Sequence, residues 1–226
     1  MPGPASQLCS RSPIKVYGSL LAAIAATAIA ADGSSAAAGL APPRFAKSVD
    51  IGLISGVVLV RPPAGPPFQL GTQDRNIPVG SRLDSTHGAV DLRAAYAPAQ
   101  RTRGVQDGNF SGGLFDIQQQ RGQGGLTELD LKTTVNRAKT CAPASAATSA
   151  RLSSRVLALV KAKVHGSFRT RGSYGAATAR GTQWQLIDRC DGTLTNVSSG
   201  VVIVDDFRLH RQLAVSAGHS YLALAP

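Results

Sequence analysis

Apolar residues in this chain fall into short, often alternating runs broken by Gly- and Pro-bearing stretches, the pattern of consecutive β-strands. Ile51 to Val60 is a nearly continuous apolar run stopped by Pro62-Pro63, and it predicts a buried strand. Pro66-Pro67 sits in the loop that follows, which suits a hairpin connection at a sheet edge. Ile77 to Asp84 and Gly88 to Leu92 predict two further strands. Arg101 to Gly125 is rich in Gly, Gln and Asp around Phe110 and Leu114 to Ile117, predicting one or two strands with a mobile tip over Gln118 to Gly125. Leu126 to Val135 alternates Leu and Thr with charge and predicts another strand. Residues 142–150, APASAATSA, predict a loose low-complexity loop. Leu152 to Val164 admits two readings. Leu152, Val156, Leu159, Val160 and Val164 have helical spacing, whereas Val156, Ala158, Val160 and Ala162 form one face of a strand.

The last quarter, Phe168 to Pro226, carries the densest strand signal. Runs of Val, Ile, Thr and aromatics are separated there by Asp191-Gly192, Ser199-Gly200 and Ala217-Gly218. Asp191-Gly192 predicts a type I′ hairpin, which needs positive φ at both central residues. Ser55-Gly56-Val57-Val58-Leu59-Val60 recurs as Ser199-Gly200-Val201-Val202-Ile203-Val204, each with Gly where a tight turn would enter a strand. Two distant copies read as a pseudo-repeat within one domain rather than as an array.

The order of motifs here resembles the FecR-like domain, named after the ferric-citrate regulator. Arg180-Gly181-Thr182 is followed by Asp191-Gly192 with Thr193 to Val197, then Gly200 to Val204, and finally Ala217-Gly218. A fainter likeness covers Val49 to Leu92. The resemblance implies an all-β fold, a single compact antiparallel β-sandwich or β-roll-like domain over residues 48–226, and it favours the strand reading of 152–164. It assigns Arg180, Gly181, Thr182, Asp191, Gly192, Gly200 and Gly218 structural roles. The family is extracytoplasmic, and its best-known role is transmembrane signalling to a sigma factor. That role needs a folded cytoplasmic region, and only about fifteen residues precede the first apolar run here.

That run, Val16 to Ala31, follows Arg11 and Lys15 and ends in Ala28-x-Ala30, the pattern of a secretory signal peptide over residues 1–30. It is short for a membrane span, which needs roughly 20 apolar residues, though an uncleaved signal anchor is the alternative. Residues 31–47, rich in Ala, Ser, Gly and Pro, predict a flexible linker. The formal charge is +11, and losing Arg11 and Lys15 from 24 basic residues leaves 22 against 13 acids, a mature charge of +9. Such a surface attracts anions generally. Cys9 falls in the presequence, so the mature pair Cys141 and Cys190 predicts a disulfide in an oxidising compartment. Closing a loop of about 50 residues contributes on the order of 4 kcal/mol in the chain-entropy account.

Catalytic patterns are absent from the sequence. His87, His165, His210 and His219 have no metal-ligand spacing to each other or to Cys, and they read as exposed turn residues. Asp188, Asp191, Asp205 and Asp206 read as surface ion pairs, with Arg208 and Arg211 balancing the last two. No Gly-x-Ser-x-Gly occurs, and Gly122 to Gly125 lacks the Lys of a phosphate loop. Asn109-Phe110-Ser111 and Asn196-Val197-Ser198 match the permissive glycosylation pattern. Phe168 and Trp184 are expected in the core, with Arg169 pointing outward. No cofactor, metal or nucleic-acid partner is expected.

These readings converge on an exported, non-catalytic module with a binding or structural role at the cell envelope. Its partner would be an anionic envelope polymer or an envelope protein, with Arg169, Arg171, Arg180, Arg208 and Arg211 as carriers. Signalling of the FecR type, from a membrane-anchored chain, is the second expectation, and an enzyme acting on wall polymers the third.

Overall fold

A computed structural model describes residues 40–142 and 153–226. The expected signal peptide, residues 31–39 of the expected linker and residues 143–150 of the low-complexity loop lie outside them. The described chain is nearly all β, with fifteen strands. They are β1 (Ser48–Arg61), β2 (Phe68–Gln69), β3 (Arg75–Pro78), β4 (Arg82–Ala95), β5 (Val105–Ser111), β6 (Leu114–Gln119) and β7 (Thr127–Lys132). After a one-turn helix, α1 (Arg137–Thr140), come β8 (Val156–His165), β9 (Ser167–Arg171), β10 (Gly175–Arg180), β11 (Gln183–Arg189), β12 (Gly192–Ser199), β13 (Val201–Asp206), β14 (Arg211–Ser216) and β15 (Ser220–Leu224).

The strands form one continuous sheet folded into a nearly closed, barrel-like sandwich. One wall runs β5-β8-β11-β12-β15 and the other β6-β7-β9-β10-β13-β14. β4 joins them. Its residues Ala89 to Ala95 pair with β5 and its residues Arg82 to Asp84 pair with β6, so β5 and β6 follow each other in sequence yet both lie against β4. The strand changes partner at Ser85, whose amide and hydroxyl both donate to the Gly113 carbonyl at 2.8 and 3.0 Å. Gly113 is required by close approach: a Cβ there would lie 2.2 Å from the Leu159 carbonyl oxygen.

Alternation explains the core. Phe110, Phe115, Val160, Phe168, Trp184, Leu186, Val202 and Val204 point inward from both walls and are buried. Phe110 of β5 packs its ring 5.5 Å from that of Phe168 of β9, bringing the walls together. The wall edges, β14 and β15, share no ladder with each other. Their seam is held where the Tyr221 hydroxyl donates to Asp206 at 2.7 Å, and at the far end by Gly218 N–H donating to the Val197 carbonyl at 2.9 Å.

Several sequence expectations change in this frame. Residues 77–84 are not one strand, because the chain turns at Val79 to Ser81; residues 82–95 instead run unbroken through 85–87. The apolar run of β1 is buried only in part: Ile54, Val57 and Leu59 are 49%, 44% and 49% exposed, Ile54 by alternation and the other two because the bulge between Leu53 and Ser55 re-aims positions that alternation from Val49 and Ile51 would send inward. Gly56 does not enter a strand. It lies within β1 opposite Gly88, whereas Gly200 does occupy a turn, so the repeated hexapeptide serves two local purposes. The antiparallel expectation holds for every ladder but one: β7 and β9 run parallel, because β8 reverses in the opposite wall between them. Residues 156–165 are a strand, so the helical spacing of that segment was incidental. Within the expected linker, Ala46 N–H donates to Gln119 Oε1 at 2.8 Å, and the Lys47 carbonyl accepts from Val79 N–H.

Candidate functional site

The outer face of the β6-side wall carries a ladder of charge. Arg82 forks onto Asp116 with 2.6 and 2.9 Å contacts, Lys132 bridges Asp130 at 2.5 Å and Asp116 at 3.8 Å, and Arg169 lies between Glu128 at 3.3 Å and Asp205 at 3.0 Å. Hydrogen bonding to Asp116, opposed by burial, holds the Arg82 guanidinium above its ordinary range. Arg169 does point outward, as alternation demands, but two carboxylates already hold it. It drops out as an anion carrier.

The remaining arginines of the expected set divide between the two ends of the sandwich. Arg171 pairs in register with Ala176 and lies 5.0 Å from the Phe207 ring, close to the β13–β14 turn that contains Arg208. Arg211 begins β14 opposite Asp206 and contacts the Tyr221 hydroxyl at 3.4 Å. Arg180 pairs with Ser167 at the opposite end of β10, five register positions from Gly175. Three of the five therefore share one end, and Arg180 does not join them.

The residues of the family-like motif take up turn and packing positions. Gly181, Gly200 and Gly218 have φ of 72°, 75° and 81° at connections between strands, and Thr182 is buried beside Gly200. The expected hairpin at Asp191-Gly192 exists one residue earlier. Strand β11 ends at Arg189 and β12 starts at Gly192, so Cys190 and Asp191 make the connection; neither has positive φ, which excludes type I′. Asp191 instead accepts from Arg189 Nε at 2.7 Å. The Cys141–Cys190 disulfide is present, its Cα atoms 5.3 Å apart.

Two of the four aspartates expected at the surface are buried. Asp188 is 4% exposed and accepts from Ser173 N–H, the Ser173 hydroxyl, the Thr193 hydroxyl and Arg137 Nη2 at 3.0, 2.6, 2.6 and 2.6 Å. Arg137 also donates to the Arg189 carbonyl at 2.9 Å and covers the Tyr174 ring. Together with the neighbouring disulfide, it ties α1 to the β11–β12 connection. Asp206 is 2% exposed and accepts from Leu209 N–H and the Tyr221 hydroxyl; Arg208 and Arg211 act on it through charge without a direct ion pair. Burial pushes its carboxyl up, but those hydrogen bonds, with a backbone hydrogen bond from Arg208 and the Arg208 charge, outweigh burial and hold it below the usual range. All four histidines are exposed.

Sequence reading passed over Lys161 and Lys163. Phe110, Ala162 and Trp184 face inward, so Asn109 and Ser111 of β5, Lys161 and Lys163 of β8, and Gln183 and Gln185 of β11 face outward together. Two shallow hollows of about 180 and 240 Å³ flank Lys161, one against Asn109 and Ser111, the other against Gln185 and Ser198. The available signal was the alternation VLALVKAKVH with Lys on one face, readable only once the segment is known to be a strand. A larger half-open groove of about 430 Å³ lies elsewhere, between Leu59, Phe68, Leu114 and Thr134, with Arg61 and Asp84 on its rim. Among the described residues no three His, Cys, Asp or Glu side chains gather as a metal site. No helix among them is long and apolar enough to cross a membrane.

No protein-family model, curated protein or solved structure matches this chain.

Proposed function

We propose that the chain is an exported, non-catalytic β-module, FecR-like in the order of its motifs, that attaches to an anionic polymer of the cell envelope. The observation that carries this reading is how its charges are used. Each described carboxylate is engaged within the protein, by a basic side chain or by a hydrogen-bond donor such as Thr86 N–H on Asp84 or Asn76 on Asp50. Arg61, Lys161, Lys163, Arg171, Arg180, Arg208 and Arg211 form no ion pair among the described residues, so the positive surplus faces solvent. Unneutralised cations draw polyanions from solution, and salt weakens that attraction over a Debye length of about 8 Å at physiological strength. Export is read from the pattern of residues 11–31, and the family likeness from the motif order between Arg180 and Gly218.

Purified envelope should retain the protein at low salt and release it at high salt. Retention that salt does not change would rule out electrostatic attachment. A chain that keeps its first thirty residues and stays in the membrane fraction would rule out the exported form.

A further inference from the structure

We propose that the outer face of β5, β8 and β11 binds an acidic polysaccharide, a 1,4-linked polyuronate laid across the strands between the rows of Lys161 and Lys163, with carboxylates on its two sides reaching one lysine each. This rests on the attachment reading above and names the polymer and the surface.

The two lysines have no role that the fold requires. Lysine on a strand commonly guards an exposed edge against pairing with another chain. β8 has no free edge along this stretch, since Lys161 and Lys163 pair with Ser111 and Asn109 on one side and with Gln185 and Gln183 on the other. Two residues apart on one face, the ammonium stems rise about 7 Å from each other, near enough to repel. Neither forms an ion pair among the described residues. The nearest acids along these rows are on the flank: Asp91 is held by Arg93 at 3.4 Å, and Asp107 faces His165 at 3.3 Å. A bound anion relieves this repulsion.

The neighbours of the lysines suit sugar hydroxyls. Around them the face offers amides and hydroxyls: Asn109, Ser111, Gln183, Gln185, Asn196 and Ser198. These groups donate and accept at once, which polyphosphate does not need and a pyranose ring does. The register lines them up in rows across the wall, Ser111–Lys161–Gln185–Asn196 and Asn109–Lys163–Gln183. Successive members of a row are about 4.8 Å apart, so a chain crossing the strands meets a polar side chain at each one. The hollows on either side of Lys161 give adjacent rings a place to sit.

Calorimetry with a polygalacturonate oligomer tests the assignment, using linear polyphosphate, duplex DNA and a neutral 1,4-glucan as comparisons. The oligomer should bind, and both Lys161→Ala/Lys163→Ala and Gln183→Ala/Gln185→Ala should weaken it about tenfold or more. The glutamine pair should leave any polyphosphate binding unchanged, and Arg171→Ala/Arg208→Ala/Arg211→Ala, which removes more charge, should weaken polygalacturonate binding less than the lysine pair does. Unaltered thermal melting confirms that each variant is folded. The inference is overturned if the oligomer does not bind, if the lysine pair binds it like the parent, or if DNA or polyphosphate binds more tightly. Salt-sensitive retention on whole envelope alongside any of these results would leave the attachment reading standing. Loss of both would remove both.

Discussion

The Trp184 indole N–H donates to the Thr170 hydroxyl at 2.8 Å, and both residues are buried. Trp184 belongs to β11 in one wall and Thr170 to β9 in the other, so this polar contact crosses the apolar core. Thr170→Val keeps the shape and removes the acceptor, leaving an indole N–H with no partner in the core. The expected loss is about 1–3 kcal/mol. Trp184 is the single tryptophan, so urea unfolding followed by its fluorescence reads the change directly. Stability equal to the parent would show that the bond contributes nothing.

Cys141→Ser should release the excursion between β7 and β8 without disturbing the walls. The bridge spans 49 residues, and loop closure of that size is worth on the order of 4 kcal/mol, less whatever order the unfolded chain retains. Far-UV circular dichroism should be unchanged while the denaturation midpoint falls. Loss of strand signal would mean instead that the disulfide is needed to form the sandwich.

Arg137 is the only cationic partner of the buried Asp188 carboxylate among the described residues. Arg137→Met strands that carboxylate with its hydroxyl and amide donors, at a cost of about 3 kcal/mol. Arg137→Met with Asp188→Asn should recover much of the loss, since the uncompensated charge is gone. A double variant no more stable than Arg137→Met would place the effect in the packing of Arg137 on Tyr174.

Asp206 sets a pH dependence. Its carboxyl titrates below the ordinary range in the folded protein, so folding favours the ionised form. That contribution is complete above the unfolded value of about 4 and is lost as pH falls beneath it through the folded value. Asp206→Asn should therefore flatten the fall in stability measured between about pH 5 and pH 2. Asp91 has the opposite sign: burial, only partly offset by Arg93, raises its carboxyl, so its ionisation opposes folding as pH rises through that value. An acid limb in Asp206→Asn as steep as the parent's would show that other carboxylates control it.

The composition and period of the chain determined the fold class. Strand-forming residues at period two, with Gly and Pro between them, leave few alternatives to stacked antiparallel strands, and the inward places of Phe168 and Trp184 follow from alternation alone. The cysteine pair was legible because only two lie after the apolar run Val16 to Ala31. What alternation does not specify is which strand lies beside which. β5 and β6 look like a hairpin in sequence, yet both pair with β4, and the parallel contact of β7 with β9 depends on β8 crossing to the other wall. Charge was misread for the same reason. Asp205 and Arg169 are 36 positions apart and meet only because β10 lies between their strands, while Asp188 finds its cation on a helix across the disulfide. Side-chain periodicity is local and survives in a list of residues. Ion pairs and binding faces depend on strand order, which the closing of the sheet decided.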